Sequence, residues 1–220
     1  MNVEMPHPAR RRLALALASV AAGLPVVTAH AQSVPDEGFD YRSLREPVPT
    51  SSPGKIEVIE FFWYACPHCY HLEPHLARWV SGLASDVVLR KVHVAFRGDT
   101  HQKIHYTLEA LGRAESLGPR VFEEIHQRGN AMNTLSDVSE WARRQGLDIA
   151  KFESTWNSFG VQTQQKRANA LVTAYKVDGV PMFGINGRYV TSPAMVGGSH
   201  SRALAVVDHL IGLERRPRRA

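Results

Sequence analysis

The tetrapeptide Cys66-Pro67-His68-Cys69 contains the only two cysteines of a 220-residue chain. Thiols two residues apart can close on each other. A chain that used cysteine for structure would spread it through the sequence, so both thiols at one point indicate redox chemistry. A bridge over so short a loop would also restrict the unfolded chain little. Exchange chemistry needs one sulfur to act as a thiolate and the other to leave or resolve. The pair sits where a strand hands over to a helix. Upstream, Ile56-Glu57-Val58-Ile59-Glu60-Phe61-Phe62 is β-branched and aromatic enough to form a strand buried on both faces. Downstream, Leu72, Leu76, Trp79, Val80 and Leu83 recur at helical spacing.

That position assigns the sulfurs different tasks. Cys66 lies where the first turn of the helix offers unpaired N–H groups and the positive end of its dipole, and it is expected to be the exposed, activated thiol. On a 100° wheel Leu72, Leu76, Val80 and Leu83 all fall within about 60° of Cys69, so Cys69 is expected to face the core. His68 adds a cation or donor beside Cys66, and Pro67 completes the motif. In Cys-x-x-Cys sites the reactive thiol titrates between roughly 7 and 3.5 against about 8.5 unperturbed, so thiolate stabilisation could reach about 7 kcal/mol. A structural zinc site, recruiting His71 and His75, is the alternative. His71 falls about 160° and His75 about 120° from Cys69 on the same wheel, too far round for one tetrahedral ion, and no metal is expected.

Compartment is read from the N-terminus. Arg10, Arg11 and Arg12 precede a 15-residue apolar stretch at 13–27. Ala29-His30-Ala31 then supplies a small-residue cleavage signal, so residues 1–31 are expected to be a signal peptide. The stretch is short for a spanning helix and Pro25 interrupts it; the route of export stays open. The mature chain is expected to start near Gln32 in a disulfide-permissive compartment. Removing three arginines and Glu4 lowers the formal charge from +5 to +3. Arg215, Arg216, Arg218 and Arg219 crowd the end, and a solvated tail at 214–220 is expected rather than a nucleic-acid arm.

Residues 32–54, with Pro47, Pro49 and Pro53, are an arm short on periodicity. A second strand is expected at 87–96. From there to 175 the signals are helical: Ile104, Leu108 and Leu111; Val121, Phe122 and Ile125; Val138, Trp141 and Ala142; Ile149, Phe152 and Trp156; then a longer helix at 161–175. Strands resume at Met182-Phe183-Gly184-Ile185 and Arg188-Tyr189-Val190-Thr191, joined by the hairpin signal Asn186-Gly187. A final helix at 199–213 carries Leu204, Val207, Leu210 and Ile211. This order describes an α/β sheet at 55–98 and 176–213, interrupted by a helical insertion at 99–175.

Phe61-Phe62-Trp63-Tyr64-Ala65-Cys66-Pro67-His68-Cys69-Tyr70 resembles the active-site segment of the DsbA-type periplasmic thiol:disulfide oxidoreductases of the thioredoxin superfamily. Lys91-Val92-His93-Val94-Ala95-Phe96, Trp156-Asn157-Ser158-Phe159 and Gly179-Val180-Pro181 extend the likeness over nearly all of the mature chain. The resemblance implies a thioredoxin-like fold with an inserted helical domain. It implies a periplasmic enzyme that introduces disulfides into unfolded secreted proteins with free thiols, recycled by a DsbB-like membrane quinone reductase. It would use no cofactor beyond a redox-active Cys66–Cys69 disulfide and would work as a monomer, without nucleic acid. Pro181 matches the superfamily's cis-proline, with Val180 ahead of it free to offer backbone groups to an extended peptide. Glu60 shares a strand face with Val58 and Phe62, so burial should raise its pKa. It matches the family's buried acid that moves protons to the inner cysteine; a strand-end ion pair is the plainer reading.

His101 and His105 stand four apart on a helix and are expected to form a surface pair, whereas His93 is expected to be packed or at an edge. Trp63, Tyr64 and Tyr70 either fill the core or help form an apolar client surface. A disulfide isomerase or reductase is the second enzymatic reading; residues 32–54 are too few for the dimerisation domain that isomerases of this type use. A holdase or metal-binding module is the non-enzymatic one.

Overall fold

The computed structural model describes residue 1 and residues 34–216; the expected signal peptide and residues 217–220 lie outside the described residues. A five-stranded sheet runs through the molecule: β1 (Arg42–Ser43), β2 (Ile56–Phe62), β3 (Val87–His93), β4 (Met182–Ile185) and β5 (Tyr189–Thr191), in the spatial order β1-β5-β4-β2-β3. β2 and β3 are parallel, and their crossover is α1 (Pro67–Ser81); the other pairings are antiparallel. β2 is an interior strand and its last six residues are buried, as its composition demands.

Two expectations about strands are corrected. β3 ends at His93 rather than at 96, because β2 ends at Phe62 and the Val94 N–H spends the last ladder bond on the Phe62 carbonyl, at 2.7 Å. The arm is not devoid of structure, since β1 pairs with β5 as an edge strand and Tyr41 just before it is buried. Two residues show no periodicity; pairing, not local pattern, makes this strand.

The hairpin forms as read. Asn186 and Gly187 both have positive φ (48° and 67°), and Arg188 N–H closes the turn on Ile185 O at 2.9 Å. Glycine is needed at 187 twice over, because a Cβ there would sit 1.8 Å from the Val48 carbonyl of the arm. At Gly184 a Cβ would lie 2.4 Å from the ring of Tyr175, which fills that space.

Successive β2 side chains serve opposite faces. Val58 packs with Leu72 and Leu76 of α1 and with Val207 and Leu210 of α7 (His200–Arg215). Ile59 and Phe61 pack with Ala168 of α6 (Phe159–Ala174), Tyr175, Met182 and Val190. Between β3 and α6 come α2 (Thr100–Ala110), α3 (Ala114–His126), α4 (Leu135–Arg144) and α5 (Ile149–Trp156). Caps start the last four helices: Thr134 with Asp137 in a capping box, then Asp148, Ser158 and Ser199. The insertion's core contains Leu108, Phe122, Trp141 and Phe152, together with Phe62, Tyr64, Cys66 and Cys69. Burying one such side chain contributes about 1.5–3 kcal/mol, so the cysteines sit inside a strongly held cluster rather than above it.

Two helical expectations also change. Val80 is 40% exposed: it lines an open groove beside Leu89 of β3, while its neighbours Trp79 and Leu83 pack on the core. α7 continues through Arg215, whose guanidinium grips Asp86 at 2.7 and 2.8 Å, so the tail is not wholly solvated from 214 onward.

Candidate active site

β2 delivers the chain through Trp63-Tyr64-Ala65 to Cys66, the N-cap of α1. Its backbone is extended (φ −87°, ψ 116°), and its Sγ accepts the Cys69 N–H at 3.4 Å. Pro67 follows at the head of the helix, where its missing N–H would have had no helical partner. With no acidic residue in the first turn, the Cys66 sulfur has the positive helix end to itself.

Both cysteines are free thiols, 7% and 0% exposed for Cys66 and Cys69. Cys66 is therefore not the openly exposed sulfur that helix position alone suggests. The loop at Val180 closes over it, with Val180 O 3.5 Å from Cys66 Sγ, so this carbonyl is occupied by the thiol rather than free. The Val180–Pro181 bond is cis, and Pro181 is buried. His68 stays exposed.

The two thiols are held oppositely. Cys66 is lowered from the ordinary 9.0 to about 6, chiefly because the Cys69 thiol donates to it. The N–H groups of Cys69 and His68 and the charge of His68 assist, while burial opposes. Cys69 is pushed far up, first by burial, then by Cys66 and Glu60.

Beneath them lies Glu60, fully buried on β2 and raised to about 7. Burial is the main cause and Glu73 adds to it, while Lys91 opposes. Lys91 Nζ stands 3.1 Å from Glu60 Oε2, hydrogen-bonds to Glu73 and lies 4.7 Å over the Phe62 ring. Burial disfavours the Lys91 ammonium, but Glu60 and Glu73 outweigh it and raise its pKa. Glu60 is thus both buried and ion-paired, and it lies within β2 rather than at a strand end. Lys91 and Glu73 escaped the sequence reading: Lys91 looks like any strand lysine, and Glu73 joins it only through tertiary packing. Glu57 was also missed; it is buried against Ser51 and Arg90 (3.4 Å).

The approach to Cys66 is clamped by histidines. The Tyr64 N–H donates to His93 Nε2 at 3.1 Å, and His126 Nε2 donates to the Tyr64 carbonyl at 2.7 Å. Burial first, then His105, His101 and Lys91, hold His93 well below the usual range, so it remains neutral and can accept. His126 had no signal in the sequence beyond its place at the end of a helix; it stacks on Tyr70 at 4.9 Å. His101 and His105 are not a surface pair. Both are buried, His101 bonding Ala131 O at 2.8 Å and His105 lying against Phe62 and Tyr64, because the insertion folds their helix onto the active-site loop. Tyr64 is core, whereas Trp63 and Tyr70 are half-buried. No cluster of three or more metal-ligating side chains occurs among the described residues.

This arrangement is that of a dithiol exchange centre. A family model of the DSBA-like thioredoxin domain matches residues 57–205. The chain is 43% identical over 194 residues to the thiol:disulfide interchange protein DsbA of Bordetella parapertussis, covering 87% of this chain and 92% of that protein. It is 39% identical over 180 residues to the DsbA of Pseudomonas aeruginosa, covering 81% and 85%. The crystal structure of Pseudomonas aeruginosa DsbA superimposes with a TM-score of 0.78 at 38% identity, over 82% of this chain and 94% of that one. On the family match, the identity to curated relatives and the structural superposition, the chain belongs to the DsbA-like thioredoxin family of thiol:disulfide oxidoreductases.

Proposed function

We propose that this enzyme is a dithiol oxidase of the periplasm, exported by the cleavable segment 1–31, that donates the Cys66–Cys69 disulfide to unfolded secreted proteins. A client thiolate attacks Cys66 Sγ of the oxidised pair. The S–S bond breaks, its electron pair goes to the Cys69 sulfur, and that sulfur takes a proton. A second client thiolate then attacks the client sulfur of the mixed disulfide and expels Cys66 as a thiolate. Two electrons have passed from client to enzyme. A DsbB-like membrane quinone reductase takes them back, and no cofactor beyond the redox disulfide is required.

The observation that carries this reading is the inequality of the two sulfurs: Cys66 lowered to about 6 at a helix terminus, Cys69 raised in the core. A sulfur that is comfortable as a thiolate is a good leaving group, and it stabilises the reduced enzyme, which makes the oxidised enzyme an oxidant. His68 assists Cys66, and Pro67 starts the helix that stabilises it. Glu60, raised to about 7, can exchange a proton with Cys69 near neutral pH. Val180 and Pro181 line the loop over Cys66, where displacement of the Cys66–Val180 contact would free a carbonyl for the client backbone.

Refolding of reduced ribonuclease A in a glutathione buffer tests the reading, beside a parallel assay on scrambled ribonuclease A. The oxidised enzyme should restore activity to the reduced substrate and Cys66→Ser should not. Faster rescue of the scrambled than of the reduced substrate would make the enzyme an isomerase.

A further inference from the structure

The sheet ends at β3, and the middle of that edge is unpaired. Ile56 N–H bonds Asp86 O at 2.8 Å and Val94 N–H bonds Phe62 O at 2.7 Å. In a parallel ladder this phase turns the backbone groups of residues 88, 90 and 92 toward β2 and those of 87, 89, 91 and 93 outward. At the two ends the outward groups are used: Val87 N–H donates to Ala84 O at 3.0 Å, and His93 O accepts Gln102 Nε2 at 2.8 Å. Between them the N–H and C=O groups of Leu89 and Lys91 have no hydrogen-bond partner among the described residues. Proteins commonly guard such an edge with charged side chains. Here Lys91 is committed inward to Glu60 and Glu73, and Arg90 to Glu57.

Both faces beside this edge are hollow. On the α1 side a groove of about 530 Å³ is walled by Leu76, Val80, Leu89 and Phe122. On the α6 side one of about 690 Å³ is walled by Val92, Tyr106 and Leu171, with Arg167 at its rim. Arg90, Lys91 and Glu109 border both. Glu109 faces His105 at 3.4 Å, whereas Arg167 has no ion pair among the described residues. A further hollow of about 330 Å³ shares Phe122 and Glu73 with the first groove and reaches Tyr70, directly after Cys69.

We infer that the β3 edge at Leu89–Lys91 docks an extended segment of the client polypeptide by strand addition. Side chains of an added strand point alternately to the two faces. One set would enter the apolar groove under Val80 and Leu89; the other would meet Arg167. The segment that fits alternates apolar with acidic residues, and the hollow leading to Tyr70 gives its continuation a path toward Cys66. This rests on the reading of the clients as unfolded polypeptides.

Reduced, S-carboxymethylated α-lactalbumin, an unfolded polypeptide with every thiol blocked, tests docking apart from exchange. Amide hydrogen exchange is followed by NMR in the full chain and in Cys66→Ser, and dithiothreitol oxidation by the unaltered enzyme reports thiol exchange separately. At saturating probe, exchange at the Leu89 and Lys91 amides should slow at least about tenfold, with Val88 and Arg90 unchanged because their N–H groups already bond β2. Combining Val80→Glu with Arg167→Glu should weaken probe binding at least about fivefold. Unaltered exchange at Leu89 and Lys91 in the saturated complex would overturn the proposal. So would protection that grows with enzyme concentration in the absence of probe, which would assign the edge to a second copy of the chain.

Discussion

Consider the reduced protein unfolded by urea at pH values between about 5 and 9, beside its Cys66→Ala variant. Bringing the Cys66 thiol from 9.0 down to about 6 corresponds to roughly 4 kcal/mol of preference for the thiolate in the folded, reduced state. The folded pKa lies below the unfolded one. The contribution is therefore complete above about pH 9 and is lost as pH falls through about 6. For those two pKa values roughly 1.4 kcal/mol survives at pH 7 and about 0.1 at pH 5. Buried Glu60 gives stability an opposite pH slope in both proteins, and it largely cancels in the difference because Cys66 is the last of its causes. The measured quantity is the gap between parent and variant in unfolding free energy, with the thiols kept reduced throughout. It should widen by more than 1 kcal/mol from pH 5 to pH 7 and keep widening to pH 9. A gap flat to within about 0.3 kcal/mol over that range would show that Cys66 titrates alike in the folded and unfolded chains. The assignment of the two sulfurs would then fall.

Glu60→Gln should stabilise the protein by about 3 kcal/mol at pH 8 and by much less near pH 4.5, because a carboxyl raised from 4.5 to about 7 weighs against folding only where the unfolded chain ionises first; equal effects at both pH values would refute the burial argument. Iodoacetamide near pH 7 should alkylate Cys66 before Cys69 in the reduced native protein, although only 7% of Cys66 is exposed, since Cys69 is wholly buried. Peptide mapping that finds Cys69 modified first would reverse their roles. Gly184→Ala should lower stability by about 1–3 kcal/mol in urea unfolding, because its methyl would meet the Tyr175 ring; Tyr175→Leu in the same chain should recover part of that loss.

What the sequence made legible was whatever is written locally. β2, α1 and the hairpin at Asn186-Gly187 each carry their own period or turn chemistry, and they fold as read. The redox pair was visible because cysteine is used nowhere else. What stayed hidden depends on tertiary packing. A wheel drawn on α1 cannot know that Val80 borders an open groove, nor that the Val180 loop covers Cys66. Helical spacing placed His101 and His105 on one face of α2 but could not say that the face turns inward, onto Phe62 and Tyr64. β1 was invisible for the same reason: its pairing with β5 joins residues nearly 150 positions apart.

The asymmetry of the two sulfurs follows from a spacing of three at the start of a helix. The first cysteine is then the N-cap, outside the helical hydrogen bonds and at the positive end of the dipole. The second, three residues later, donates its N–H to the first sulfur, and its own side chain turns with Leu72 and Leu76 toward the core. One position favours the thiolate and the other opposes it, whatever fills the two places between. Pro67 and His68 adjust this bias without creating it: the proline begins the helix and the histidine adds charge. Glu60 is buried beneath the thiols at the expense of stability, and Lys91 keeps that expense tolerable while linking the carboxylate to Glu73, which is about one-fifth exposed. The pair of thiols is written in a motif, whereas the charges buried beneath them are brought together only by the fold.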